Sequence, residues 1–266
     1  MELQKAILTL KSYESPASRA SLLSKVDILA FLLVTVGYLV AMLSVSLFQP
    51  SKLILFAAYP ILMAPLCNLS YSNIFKNSLF FLPFIALIGI LNPFYDRRII
   101  MTLGEVAVSA GWISFFSIIL RGLLAMQALL ILIKISGFPG ICQSLQRIGM
   151  PKIMTVQLLL LYRFIGVLMD EAHTMHQSMA SRGFGRKSYP LKIWSRIVGS
   201  LLLRALDRSK RLHDAMLARG FDGTININVQ NSWNLSSTCF VILWFSIFII
   251  LHFTEISQIL SFSLPS

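Results

Sequence analysis

The sequence predicts an all-α integral membrane protein with about five transmembrane helices and a basic cytoplasmic domain of three helices inserted before the last span. Three observations carry that prediction. The chain is 56% hydrophobic and only 13% charged, against about 25% charged residues in soluble domains. Its apolar residues fall into runs long enough to cross a hydrocarbon core of about 30 Å. Its basic residues are concentrated: fourteen of the 23 Lys and Arg lie between Lys134 and Arg219, and none follows. In a membrane protein such a block marks a cytoplasmic segment, by the positive-inside rule.

Residues 1–25 are polar, with Lys5, Lys11, Arg19 and Lys25 against two Glu, and are expected to form a cytoplasmic N-terminal segment. They lack the apolar core of a signal peptide. Residues 26–136 hold four spans. The first, 26–48, carries a single charge, Asp27, at its edge, and Gln49-Pro50-Ser51 breaks it. The second, 53–69, contains Pro60 and Pro65, tolerable where neighbouring helices satisfy the freed backbone groups. Residues 71–77 read as a polar loop, 78–91 as a short third span containing Pro83, and 92–105 as another polar loop.

The fourth run, 106–136, has 31 residues, too many for one upright helix, so it should tilt, break or end at the interface. Arg121 lies midway along it. A charge at that depth marks an intramembrane polar site. The structural alternative is a break at Gly122 that lets Arg121 pair with a carbonyl or carboxylate. Residues 235–254 hold the last span. With the N-terminus inside, five spans place both basic regions in the cytoplasm and the C-terminus outside.

Residues 137–223 lie between spans four and five. Gly137-Phe138-Pro139-Gly140 reads as a turn and 141–148 as a short helix, stopped by Gly149-Met150-Pro151. Helices over 152–182 and 191–219 follow. Each begins apolar and ends polar, so each suits the cytoplasmic membrane face, with its apolar root under the bundle and its basic tip toward the cytosol.

The two tips repeat each other. A shift of 37 positions aligns Asp170 with Asp207, His176 with His213, Met179 with Met216, Arg182 with Arg219, Gly183 with Gly220 and Phe184 with Phe221. Average residue usage gives roughly one such match in a window of that size. Met-x-x-Arg-Gly-Phe is in part a helix stop: the Gly takes the left-handed position and the Phe packs back on the Met, as in a Schellman ending. Capping alone does not require the Arg or the upstream His. Two like tips on one face suit a partner offering two like sites, with the guanidinium as a planar anchor for carboxylate.

Ser181-Arg182-Gly183 and Ala218-Arg219-Gly220 resemble the paired Ala-Arg-Gly signatures of the transmembrane (T) component of energy-coupling-factor (ECF) transporters. Those signatures end the last two of three coupling helices. The resemblance continues through Leu145-Gln146-Arg147-Ile148-Gly149-Met150-Pro151, Tyr162-Arg163-Phe164-Ile165, Asp170-Glu171-Ala172 and Met216-Leu217-Ala218-Arg219-Gly220-Phe221-Asp222-Gly223. It covers roughly residues 120–225 and looks most like the cobalt-type, CbiQ-like branch. Ser181 stands where the family has Ala.

The resemblance implies a multi-pass subunit of the prokaryotic inner membrane that is not itself an enzyme. Arg182 and Arg219 would each dock in a groove of one of two cytoplasmic ABC-type ATPase subunits, identical or different. Met179, Phe184, Met216 and Phe221 would support the tips. The coupling helices and the membrane bundle would hold a membrane-embedded substrate-binding (S) subunit. ATP and Mg belong to the partner subunits and no cofactor to this chain; the cargo would be cobalt or nickel.

A second reading is an integral membrane metalloenzyme with a cytoplasmic-face site of Asp170, Glu171, His173, His176 and Asp207. It leaves the duplicated tip unexplained. The three cysteines, Cys67, Cys142 and Cys239, are scattered and form no zinc or disulfide pattern. No G-x-x-x-x-G-K-[ST], H-E-x-x-H or G-x-S-x-G occurs, so the residues for an ATPase, a zinc protease or a serine hydrolase are missing. The basic region has no interleaved aromatic platform, which argues against nucleic acid.

Overall fold

The computed structural model describes residues 26–46, 50–95, 99–103, 106–182, 191–221 and 233–253. Nearly all of them are helical, as expected of an all-α membrane protein, with one short β-hairpin as the exception. They divide into two compact units, residues 26–137 with 233–253, and residues 138–221.

In the first unit, α1 (Ile28–Ser44) starts at Asp27, whose carboxylate accepts the Leu29 N–H at 3.4 Å. The Asp27 N–H donates to Ser237 Oγ at 2.9 Å. Asp27, expected only to flank the membrane, therefore caps one helix and ties it to α10 (Leu235–Phe253). α1 packs along α10, and their shared core is aromatic. Phe31 lies against Phe240 at 5.1 Å between ring centroids. Tyr38 stacks on Tyr59 at 4.4 Å and meets Phe56 and Phe248. Its hydroxyl donates to the Phe56 carbonyl at 3.1 Å, so a buried polar atom is satisfied inside an apolar cluster.

The second and third spans are each broken. Two helices, α2 (Pro50–Phe56) and α3 (Ala58–Leu66), meet at Ala57. Next, α4 (Tyr71–Leu79) and α5 (Leu82–Gly89) form a pair bent by 48°. Pro83 in the first turn of α5 has no N–H to extend the ladder of α4, which accounts for the bend. The polar loop expected over 71–77 is instead α4. Its polar composition hides an amphipathic face: Ile74 and Ser78 are buried, and the Tyr71 hydroxyl bonds Gln127 Oε1 at 3.2 Å.

The loop expected over 92–105 is also corrected. α6 (Asn92–Tyr95) leads into β1 (Ile99–Leu103), which pairs antiparallel with β2 (Val106–Ser109); Leu103 faces Val106 and Ile99 faces Ser109. β2 takes the first residues of what reads as the fourth apolar run.

α7 (Ala110–Ile148) does not break at Gly122. It breaks at Gly137, with φ 61° and ψ 164°, values that suit a residue without Cβ. Gly122 serves close packing instead: a Cβ there would lie 2.7 Å from Ile85 Cγ2 of α5. After the break the chain is helical at once, so the turn expected over 137–140 shrinks to one residue, with Pro139 accommodated in the first turn of the new limb.

In the second unit, that limb is followed by α8 (Lys152–Arg182) and α9 (Leu191–Ala218). Phe138 stacks on Tyr162 of α8, centroids 4.9 Å apart. Among the described residues, three helices are long and apolar enough to cross a membrane: Gly111–Ile148, Lys152–Ser181 and Leu235–His252. The bent α4–α5 pair is a fourth candidate, while Ile28–Ser44 and Lys52–Leu66 are apolar but shorter. Each of the five segments expected as spans contains helix, the fourth only from Ala110 onward, and α8, expected along the membrane face, is itself apolar enough to span.

Candidate functional site at the paired helix tips

The second half of α8 touches the first half of α9. Arg204 Nη1 donates to Glu171 Oε1 at 2.7 Å, Ser200 Oγ lies 3.7 Å from Met175 Sδ, and the His176 ring is 6.0 Å from Trp194. Away from this crossing, the first half of α8 and the second half of α9 enclose a groove of about 510 Å³.

The second tip has the backbone of the predicted ending. Gly220 has φ 78°. The Phe221 N–H donates to the Met216 carbonyl at 3.0 Å and the Gly220 N–H to the Leu217 carbonyl at 2.9 Å, the paired bonds of a Schellman motif. Met216 and Phe221 both line the groove, so the cap also closes its end. Ala218 and Arg219 are exposed. The cap therefore fixes the direction in which the chain leaves α9 and presents Arg219 outward.

At the first tip, α8 runs through Ser181 and ends at Arg182. Ser181 Oγ donates back to the Gln177 carbonyl at 3.0 Å, and Met179 is half-buried. Gly183 and Phe184 lie outside the described residues, as does the N-terminal segment 1–25.

Gly220→Val is expected to cost about 1–2 kcal/mol locally, because a β-branched residue pays for the left-handed conformation. Hydrogen exchange over residues 216–221 should speed up while that of α1 and α10 stays unchanged.

The residues of the metalloenzyme reading do not converge. Glu171 is held by Arg204, His173 Nε2 sits 3.0 Å from Gln177 Nε2, and His176 faces Trp194. Asp170 and Asp207 are exposed. Among the described residues no group of three His, Cys, Asp or Glu could hold a metal ion.

Arg121 is placed by a contact 76 residues away: its Nη2 donates to the carbonyl of Val45, the C-cap of α1. Its Nε is buried and has no hydrogen-bond partner among the described residues. A cation on the last carbonyl of a helix satisfies an orphan acceptor and suits the helix dipole. Arg121→Met should cost about 1–3 kcal/mol by leaving that carbonyl unpaired. The check is the unfolding midpoint of the detergent-solubilised protein, with Arg121→Lys falling between the two.

The groove was not foreseen. Its signal is present as Leu160, Phe164 and Leu168 at four-residue spacing on α8, and as Ala205, Ser209, Leu212 and Met216 at three- and four-residue spacing on α9.

A family model described as CbiQ, cobalt transport protein, matches residues 19–233. A cobalt transport protein CbiQ of Salmonella typhimurium is 29% identical over 109 residues, which is 40% of this chain and 48% of that protein. A cobalt transport protein CbiQ of Rhodobacter capsulatus is 32% identical over 85 residues, 32% of this chain and 35% of the relative. The aligned stretches thus span about half and about a third of those two relatives. Because the family model extends over most of the chain, this protein belongs to the CbiQ cobalt transport protein family.

Proposed function

We propose that this chain is the membrane coupling subunit of an ECF-type ABC importer for cobalt or nickel. It transmits the ATP-driven motion of two cytoplasmic ATPase subunits to a membrane-embedded substrate-binding subunit. Family membership supports the transport role. The observation that carries the coupling role is the duplicated Met-x-x-Arg-Gly-Phe tip, whose second copy ends in a complete cap with Arg219 exposed beside it.

Each Arg inserts into an ATPase groove and pairs with a carboxylate there. Ser181, Gly183, Ala218 and Gly220 keep the tips slender enough to enter. Nucleotide and Mg bind between the ATPases, and this chain contributes position and leverage rather than chemistry. Its N-terminus and coupling helices face the cytoplasm of a prokaryotic cell.

The test is purification of the tagged protein from native membranes in mild detergent, with co-purifying chains identified by mass. One or two Walker-motif ATPases and a small membrane protein are expected. If no ATPase accompanies the wild type, the proposal fails.

A further inference from the structure

The groove between α8 and α9 has an apolar floor and a cationic rim. Val156, Leu160 and Phe164 form one wall, and Leu212 and Met216 the other. Gln157, Arg208, Ser209 and His213 are its polar members, and among the described residues no carboxylate lines it. Arg208 and His213 are five positions apart, about 140° around the helix axis, so they flank the groove-facing stripe of α9. Both are exposed, and neither has a hydrogen bond or ion pair among the described residues. Arg204, one turn earlier, is by contrast held by Glu171.

The volume of about 510 Å³ is that of a site for one small molecule. A helix of 10–12 Å diameter fills roughly as much in a single turn, so a helical partner would be seated over one turn only. A thin, flexible hydrocarbon chain can lie along the whole floor. α9 also carries Val198, Leu202 and Leu206 at four-residue spacing, 61%, 59% and 52% exposed. That apolar stripe belongs in lipid rather than water.

We propose that the groove is a binding site for one anionic phospholipid of the surrounding bilayer. An acyl chain lies along the floor, and the Arg208 guanidinium and a His213 ring N–H hold the phosphate. Guanidinium pairs with phosphate bidentately, and basic pockets between helices select anionic head groups. This site goes beyond the coupling role and does not depend on docking of the tips.

Native mass spectrometry of the full-length protein in mild detergent, titrated with phosphatidylglycerol or phosphatidylcholine, tests it. One retained phosphatidylglycerol is expected, with phosphatidylcholine bound at least about tenfold more weakly. Arg208→Gln should weaken phosphatidylglycerol retention by a similar factor. Lys210→Gln, which removes the same charge outside the lining, should leave retention unchanged. Ala205→Trp, which fills the floor, should also weaken it. Each variant is first matched to wild type by gel filtration. Equal retention of both lipids overturns the proposal, as does an Arg208→Gln effect no larger than that of Lys210→Gln. Wild-type retention in Ala205→Trp would place the lipid outside the groove and overturn it equally.

Discussion

Reversing the charge at both tips, Arg182→Glu with Arg219→Glu, will, on the proposed coupling role, strip the co-purifying ATPase subunits from the protein purified in mild detergent. Truncating one partner of a buried charge pair at an interface costs about 2–5 kcal/mol, and a reversed charge adds repulsion against the carboxylate that the proposed coupling role assigns to the ATPase. Each single variant should retain part of the ATPase, because the second tip still holds a tethered partner at high effective concentration. The double variant loses both anchors, and uptake should fall to background. Arg211→Glu, exposed on α9 two turns before the tip, should behave as wild type. ATPase retained at wild-type stoichiometry by the double variant would exclude the tips as anchors.

Tyr38→Ala will be the most destabilising single change in the membrane bundle. Tyr38 is fully buried, stacked on Tyr59 and in contact with Phe56 and Phe248, so it joins α1 to α2, α3 and α10. Removing an aromatic ring from a packed core costs about 3–5 kcal/mol, much of it through the cavity left behind. In lipid the lost dispersion contacts carry most of that cost, since burial from water does not drive helix association there. Tyr38→Phe should lose only the bond to the Phe56 carbonyl, about 0.5–1.5 kcal/mol. Unfolding titrations in mixed micelles would measure both. A loss below about 1 kcal/mol for Tyr38→Ala would mean that the aromatic cluster can close around the gap.

The features legible in the sequence were those set by local chemistry. Apolar runs announced a helix in each of the five expected spans, and Arg-Gly-Phe announced the Schellman ending, whose parts lie within six residues. The hairpin was missed because the apolar residues of 106–109 read as the start of the long run that follows. Its cue was Ile99, Met101 and Leu103 in alternation, then Gly-Glu, then Val106; two residues beginning with Gly are a common hairpin connection. α4 was missed because polar residues outnumber the few that face the core. What depends on distant contacts was beyond local reading. Arg121 meets a carbonyl 76 residues away, and the groove exists only because two long helices touch at a single crossing.

That crossing makes the helix pair a pair of scissors. The pivot lies near residues 171–175 of α8 and 200–204 of α9. At 1.5 Å per residue, Arg182 is about 15 Å beyond it on one blade and Arg219 about 25 Å beyond it on the other. The two tips sit on opposite sides of the pivot. Drawing them together therefore swings the first half of α8 away from the second half of α9. The groove widens as the tips approach, so a displacement applied at the tips is returned as a change in the width of the groove.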